Sequence, residues 1–442
     1  MDRQPNILLL MADELRADCT GFGGNRVVRT PHLDALAAGA TVFDNAYTPA
    51  PICIPARQCL AAGQLPTTCG CQRWYEDLPA GALTFPRLLS QQGYETVACG
   101  KLHHVGPDQM QGYTKRIGAE CEVAQPFIPG LQRPFDAFGN KWSQREEVLR
   151  ATDRGKSYHI RQDELAVLGA EYLIEQYFLD PLYGRNTPDR PLLLTVSFNQ
   201  PHYPYVADPA LLAYYEPRVT PYENEPVFPH PFLSKFEVDV PAAALRRATA
   251  AYYAMIERMD GYVGRVVRAL QAAGQDLTDW LVLFASDHGE MLGQHGVWEK
   301  QKFFEGSARV PLLVGLPGQT QGRRCQKNVS LCDLYATVCE TAGLNPPPGL
   351  DSRSLAGLAR GEEAGWPDTA VSMFDGVNFM YKKGPLKYQW YGGQQDEVLF
   401  DLAADPTERE NRLARPGYEA FLAEGRAAAR CYGFAACRPA PR

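Results

Sequence analysis

The 442-residue sequence lacks three things: a run of about eighteen uninterrupted apolar residues, a block of Lys or Arg, and any C-x-x-C pair. The first absence removes a membrane-spanning helix and with it a membrane partner. The second, together with a net charge of −7, removes the basic footprint that a nucleic-acid partner requires. The third argues against zinc ribbons and disulfide scaffolds, so the twelve scattered cysteines are expected to be small buried hydrophobes in a reducing compartment. Met1 to Pro5 carries no basic segment leading into an apolar stretch and a cleavage site, so the expected location is cytoplasmic. Hydrophobic residues at 45% and charged residues at 21% are ordinary for an enzyme and exclude a disordered chain. The length favours one large α/β unit with an appendage, or two to three domains.

Five short apolar runs end in polar or charged residues, the appearance of buried parallel strands whose carboxyl ends open onto a site. They are Asn6 to Met11 before Asp13-Glu14, Tyr94 to Cys99 before Lys101-Leu102-His103, Leu192 to Phe198 before His202, Leu281 to Phe284 before Asp287-His288, and Val310 to Val314. Helical patterns lie between them at Pro31 to Ala38, Thr84 to Gln92 and Ala242 to Ala273, where Ile256, Val263, Val267 and Leu270 recur at helical spacing. This alternation implies a mostly parallel sheet with helices on both faces, and ligands of such sheets sit at the strand carboxyl ends. From about Pro107 to Arg190 and from Tyr205 to Pro241 the chain turns rich in Pro, Tyr and Gly, which predicts long loops over the site. Pro346 to Gly349 and Gly361 to Pro367 read as boundaries. Beyond them Asn378 to Lys383, Leu386 to Trp390, Val398 to Leu402 and a helix from about Pro416 to Ala429 predict a small α+β unit. The expected division is 1–360 and 361–442.

Cys53-Ile54-Pro55-Ala56-Arg57 places a cysteine just before a proline suited to a first helical turn, ahead of good helix formers. Cys53 is thereby expected at the positive end of a helix, facing an anion. This C-x-P-x-R segment with its downstream Gly63 resembles the sulfatase signature, in which the cysteine becomes formylglycine. The likeness runs on through the chain. Asn6 to Glu14 is similar to the family's first strand and acidic metal pair, and Gly93-Tyr94-Glu95-Thr96 with Gly100-Lys101-Leu102-His103 to its G-Y-x-T and G-K-x-H segments. Pro201-His202-Tyr203-Pro204-Tyr205 resembles its P-H-x-P-Y segment. Ser286 to Glu290, with Lys300 and Arg309-Val310-Pro311 behind, resembles its second metal segment and lysine, and Leu399 to Leu402 with Asp405-Pro406 its closing motif. Glu14 and His288 stand where many members have Asp and Asn, and Ile54 where a small residue is usual.

The resemblance implies an alkaline phosphatase-like α/β sandwich with a large, mostly parallel central sheet flanked by helices, and a C-terminal α+β subdomain with a short antiparallel sheet. It implies a sulfuric ester hydrolase acting through a formylglycine (3-oxoalanine) hydrate at position 53 and one divalent metal. Asp13, Glu14 and Asp287 offer carboxylates, His288 a nitrogen, and position 53 itself an oxygen; calcium is the expected ion, with manganese or magnesium as alternatives. Arg57 is expected to hydrogen-bond the hydrate, and Lys101 and Lys300 to neutralise sulfate oxygens. His202 is implied as the acid for the departing alcohol and as a substrate contact, and His103 as the base that releases sulfate. His159, His230, Trp74, Tyr75, Arg116, Trp142 and Arg161 are candidates to line a pocket for a sulfated saccharide. A formylglycine-generating maturation enzyme is the implied partner. Two other readings stay open: a phosphonate monoester or phosphodiester hydrolase on the same residues, and a catalytically silent protein that binds sulfated glycans.

Overall fold

The computed structural model describes residues 4–118, 143–179, 190–222, 228–230, 232–233, 238–393 and 396–434. Its strands are β1 (Ile7–Asp13), β2 (Thr41–Tyr47), β3 (Glu95–Gly100), β4 (Lys115–Ile117), β5 (Leu192–Pro201), β6 (Leu281–Ser286), β7 (Arg309–Val310), β8 (Leu312–Gly315) and β9 (Arg323–Ser330), followed by β10 (Thr369–Phe374), β11 (Asn378–Lys383), β12 (Leu386–Tyr391) and β13 (Asp396–Asp401). The first nine form one sheet in the order β4-β3-β5-β1-β6-β8-β2-β7, with β9 paired to β2. Its centre is parallel: β1 lies between β5 and β6, and β3 extends the row beyond β5.

Alternation along β1 supplies both cores. Leu8, Leu10 and Ala12 point into a cluster with Tyr252, Ile256, Val263 and Leu270 of the long helix Ala242–Ala272. Ile7, Leu9 and Met11 point the other way, into a cluster with Leu60, Phe85 and Tyr335. A strand covered on both faces is apolar throughout, and β1 is buried from end to end.

Three sequence expectations need correction, and one falls outside the described residues. The span from about 107 to 190 is not all loop, because Tyr158–Phe178 is a 21-residue helix. Its outer face carries exposed Leu165, Leu168 and Tyr172, which blur the amphipathic pattern. Val310 to Val314 is two strands broken at Pro311, which has no N–H to give a ladder, and β8 runs antiparallel to β6 and β2 rather than parallel. Strands β2, β4, β9 and β10 were not anticipated: Asp44 and Asn45 interrupt the apolar run of β2, β4 is three residues long, and β9 pairs only with β2 among the described strands. Finally, Trp142 lies outside the described residues.

The second sheet is a four-stranded antiparallel meander in the order β10-β11-β12-β13. Helix Glu419–Cys431 covers one side through Phe421 and Ala429. The other side joins the main body, where Met380, Tyr391 and Phe400 pack with Tyr47, Phe303 and Phe304. Buried Lys387 crosses this seam, with Nζ 2.7 Å from Glu305 Oε1 and 2.8 Å from the Phe303 carbonyl, and it pairs with Glu408 as well.

Candidate active site

Cys53 is the first residue of a ten-residue helix in which every side chain is buried. Residue Ile52 precedes it in an extended conformation, and Gly63 ends the helix at φ 64°, where a Cβ would come within 2.7 Å of Tyr335. The helix therefore lies inside the fold with Cys53 aimed at the carboxyl ends of the central strands. β1 delivers Asp13 and Glu14, and β6 leads to Asp287 and His288. β5 leads to His202, and β3 ends at Gly100, whose missing Cβ leaves room for the Ser197 carbonyl before Lys101 and His103.

Arg57, one turn after Cys53, binds these ends together. Its guanidinium donates to Asp287 Oδ2 at 2.7 Å, the Lys101 carbonyl at 3.0 Å, Ser197 Oγ at 2.8 Å and Asp13 Oδ2 at 3.2 Å, with the Ala12 carbonyl at 3.4 Å. The side chain expected to hydrogen-bond the hydrate is thus also tied to four strand ends. Lys101 Nζ adds a contact of 2.8 Å to Asp13 Oδ2. Burial opposes ionisation of Asp13, but the Lys101 ammonium and the Arg57 guanidinium outweigh it and hold the carboxyl well below its usual range.

With the Oδ2 atoms of both aspartates engaged by cations, their Oδ1 atoms turn to His288, whose Nε2 is 3.9 Å from Asp13 Oδ1 and 3.8 Å from Asp287 Oδ1. The same nitrogen is 3.0 Å from Cys53 Sγ. His288 Nδ1 lies 2.9 Å from the Gly289 carbonyl, so it carries the proton and leaves the Nε2 lone pair to the cluster. One ligand atom each from Asp13, Cys53, Asp287 and His288 lie within 4.8 Å of one another, and a second such group joins Asp13, Glu14 and His202. Two carboxylates, an imidazole with its outer nitrogen fixed and the side chain of residue 53 form a donor set that fits a divalent cation, an oxygen replacing sulfur there suiting a hard one better. Burial and the nearby Asp13 push the Cys53 thiol well above its ordinary value, so as a plain cysteine it stays protonated and a poor nucleophile.

The remaining residues surround this centre. Glu14, at φ 64°, directs Oε2 to Lys300 Nζ at 3.0 Å and to His202 Nε2 at 3.2 Å. Lys300 Nζ lies 2.8 Å from His202 Nε2 and sits over the Tyr203 ring. His202 Nδ1 faces the Tyr203 carbonyl at 2.7 Å, so Nε2 accepts from the Lys300 ammonium. Burial and then Lys300 hold His202 well below its usual pKa, and burial and then Lys101 do the same to His103, leaving both neutral. His103 packs edge-on against Trp74, and Gln58 Nε2 donates to its carbonyl at 3.0 Å.

All ten proposed catalytic and metal residues thus gather at one end of the sheet. Of the candidate pocket residues, His159 stands edge-on to His202 with ring centroids 5.3 Å apart, and Trp74 flanks His103. His230 instead packs on Tyr391 and pairs with Asp396, and Arg161 is exposed. Sequence reasoning missed Ser197 and Tyr252. Ser197 is a polar residue inside a strand buried from end to end, which is a usable signal. Tyr252 donates to the Glu14 carbonyl at 2.6 Å, a partnership between residues 238 apart that nothing in the sequence marks.

Comparison with known proteins finds relatives along most of the chain. A family model described as Sulfatase covers residues 5–344, and one described as N-sulphoglucosamine sulphohydrolase, C-terminal, covers residues 293–427. The chain is 33% identical over 438 residues to the choline-sulfatase of Rhizobium meliloti (strain 1021), spanning 93% of this chain and 83% of that protein. The fold superposes on the phosphonate monoester hydrolase of Agrobacterium radiobacter with a TM-score of 0.75 and 25% identity, over 97% of this chain and 95% of the other. It also superposes, at a TM-score of 0.74 and 18% identity over 97% and 98% of the two chains, on a structure in complex with its substrate D-glucosamine-2-N,6-O-disulfate.

Proposed function

The chain belongs to the sulfatase family, whose members hydrolyse sulfate esters, and from that premise we propose that it cleaves a sulfated saccharide at a formylglycine made from Cys53. The observation that carries this reading is the meeting of Cys53 with Asp13, Asp287 and His288 at a helix start. When in place, a divalent cation, calcium ahead of manganese or magnesium, supplies Lewis-acid charge, and the aldehyde hydrate at position 53 supplies an oxygen nucleophile where a thiol has none.

The chain's own groups do the rest. Arg57 fixes the helix start against the strand ends, so the reacting carbon is held before substrate arrives. The Lys101 and Lys300 ammonium groups balance negative charge on the sulfate oxygens as the ester bond breaks. His202 Nε2 relays to the departing alcohol oxygen a proton drawn from the Lys300 ammonium, 2.8 Å away. Neutral His103 accepts the proton whose removal releases sulfate and restores the aldehyde. The rings of Trp74 and His159 flank these two histidines and offer apolar faces to a sugar ring. The N-sulphoglucosamine sulphohydrolase C-terminal match supports a sugar substrate. A cytoplasmic formylglycine-generating enzyme is the partner this reading requires.

A second reading, phosphonate monoester hydrolysis, is favoured by the Agrobacterium radiobacter likeness. Turnover of sulfated mono- and disaccharides, choline sulfate, an aryl sulfate and an aryl phosphonate monoester, measured side by side on protein mapped for formylglycine, decides between them. The proposal expects the highest kcat/KM on a sulfated saccharide. Preference for the phosphonate ester sinks it, and so does tight glycan binding without turnover.

A further inference from the structure

A second cluster of reactive side chains lies further along the Cys53 helix and is made of sulfur. Cys59 and Cys332 sit in the core under the four-stranded sheet with Met373 and Phe379, Cys71 sits in a smaller cluster with Ala61 and Leu78, and Cys69 packs against both. All are free thiols. Cys59 Sγ and Cys69 Sγ are 3.6 Å apart. Cys69 ends the short helix Pro66–Cys69, and Gly70, at φ 84°, makes the left-handed turn between it and Cys71. Exposure separates the partners: Cys59 and Cys71 are fully buried, whereas Cys69 is partly exposed.

We propose that Cys59 and Cys69 form a peroxide-responsive pair, in which a hydroperoxide oxidises Cys69 and Cys59 closes the disulfide. The geometry carries this: a partly exposed cysteine, a buried resolving sulfur already in contact, and a closure from 3.6 Å to a bond of about 2 Å. Thiol donors Cys59 and Cys71 draw the Cys69 thiol down, while burial and then Cys69 push Cys59 up, so the exposed member is the nucleophile. In the first step the Cys69 thiolate attacks the peroxide, the O–O bond breaks, and hydroxide leaves and is protonated by solvent, giving a sulfenic acid. In the second, Cys59 sulfur attacks Cys69 Sγ, and the displaced hydroxide departs as water with the Cys59 proton. Two thiols lose two electrons, and one hydrogen peroxide becomes two waters.

The reading is independent of catalysis, because it is measured on thiols. Cys59, Cys69 and Cys71 share one tryptic peptide, Gln58 to Arg73. The full-length protein is treated with hydrogen peroxide, its free thiols are alkylated, and this peptide is weighed. The expected product has lost two hydrogens and carries one alkyl group; dithiothreitol returns it to three. The loss is expected to persist in Cys71→Ser and to vanish in Cys59→Ser and Cys69→Ser. A peptide still alkylated three times overturns the proposal. So does Cys69 advancing to sulfinic acid beside a free Cys59, or a two-hydrogen loss that survives Cys59→Ser.

Discussion

Two groups of charged side chains are buried in this protein and are balanced in different ways. At the seam between the sheets, fully buried Lys387 meets Glu305 and Glu408, and Arg309 Nε meets the other oxygen of Glu305 at 2.9 Å. Each charge there contacts its opposite, and the cluster has the character of a fastener. At the active site Asp13, Glu14 and Asp287 crowd together at zero exposure, and Glu14 has Glu290 and Asp13 as like-charged neighbours. Burial first, and then those neighbours, raise the Glu14 carboxyl well above its ordinary value despite Lys300. The seam spends its charges on stability, whereas the site keeps its own concentrated for a cation and an anionic substrate.

The two clusters are therefore expected to fail differently. Relative to formylglycine-bearing wild type, Cys53→Ala, which removes the reacting group, is expected to lower turnover by about 10⁴-fold or more. Its melting midpoint should stay within about 2 °C of wild type, since little packing changes. A large fall in melting temperature breaks the comparison. Lys300→Ala removes one charge-balancing group, so kcat is expected to fall about 10²- to 10³-fold with stability nearly kept; steady-state kinetics and a melt check both halves. Lys387→Met, at the seam, reverses the pattern. Leaving Glu408 without its lysine and Glu305 with Arg309 alone is expected to cost about 3–5 kcal/mol in urea unfolding, with kcat per folded molecule falling less than about tenfold.

The smallest effect is on acid stability. Burial opposes the Glu305 carboxylate, but Lys387 and Arg309 hold it down at about 2. A depressed carboxyl contributes stability above its unfolded value of about 4.5, and that contribution is lost as pH falls toward 2. Unfolding free energies from urea titrations between pH 6 and pH 3 should therefore drop in wild type by about 1–2 kcal/mol on this account. They should drop less in Lys387→Met, where Glu305 has lost its main counter-ion.

The strand ends were legible because a strand covered on both faces must be apolar until it reaches the site, and β1, β3, β5 and β6 all stop at the polar residues picked out in the sequence. Peripheral strands hide, since β9 is polar at every position but Cys325 and Val329 and reads like a surface loop. Helix Tyr158–Phe178 was lost for the opposite reason, with apolar residues on its outer face. In the site, motif spacing identified the ionisable residues, but the partners of Arg57 were invisible. Ala12, Lys101, Ser197 and Asp287 become neighbours only when the sheet brings distant segments side by side.

That last arrangement bears on how the protein gains activity as it folds. A guanidinium that reaches four strand ends at once finds all its acceptors only after those strands have docked in their final order. A chain with half its sheet formed holds the nucleophile's helix loosely, so recovery of turnover during refolding marks the docking of the last central strand rather than the first collapse.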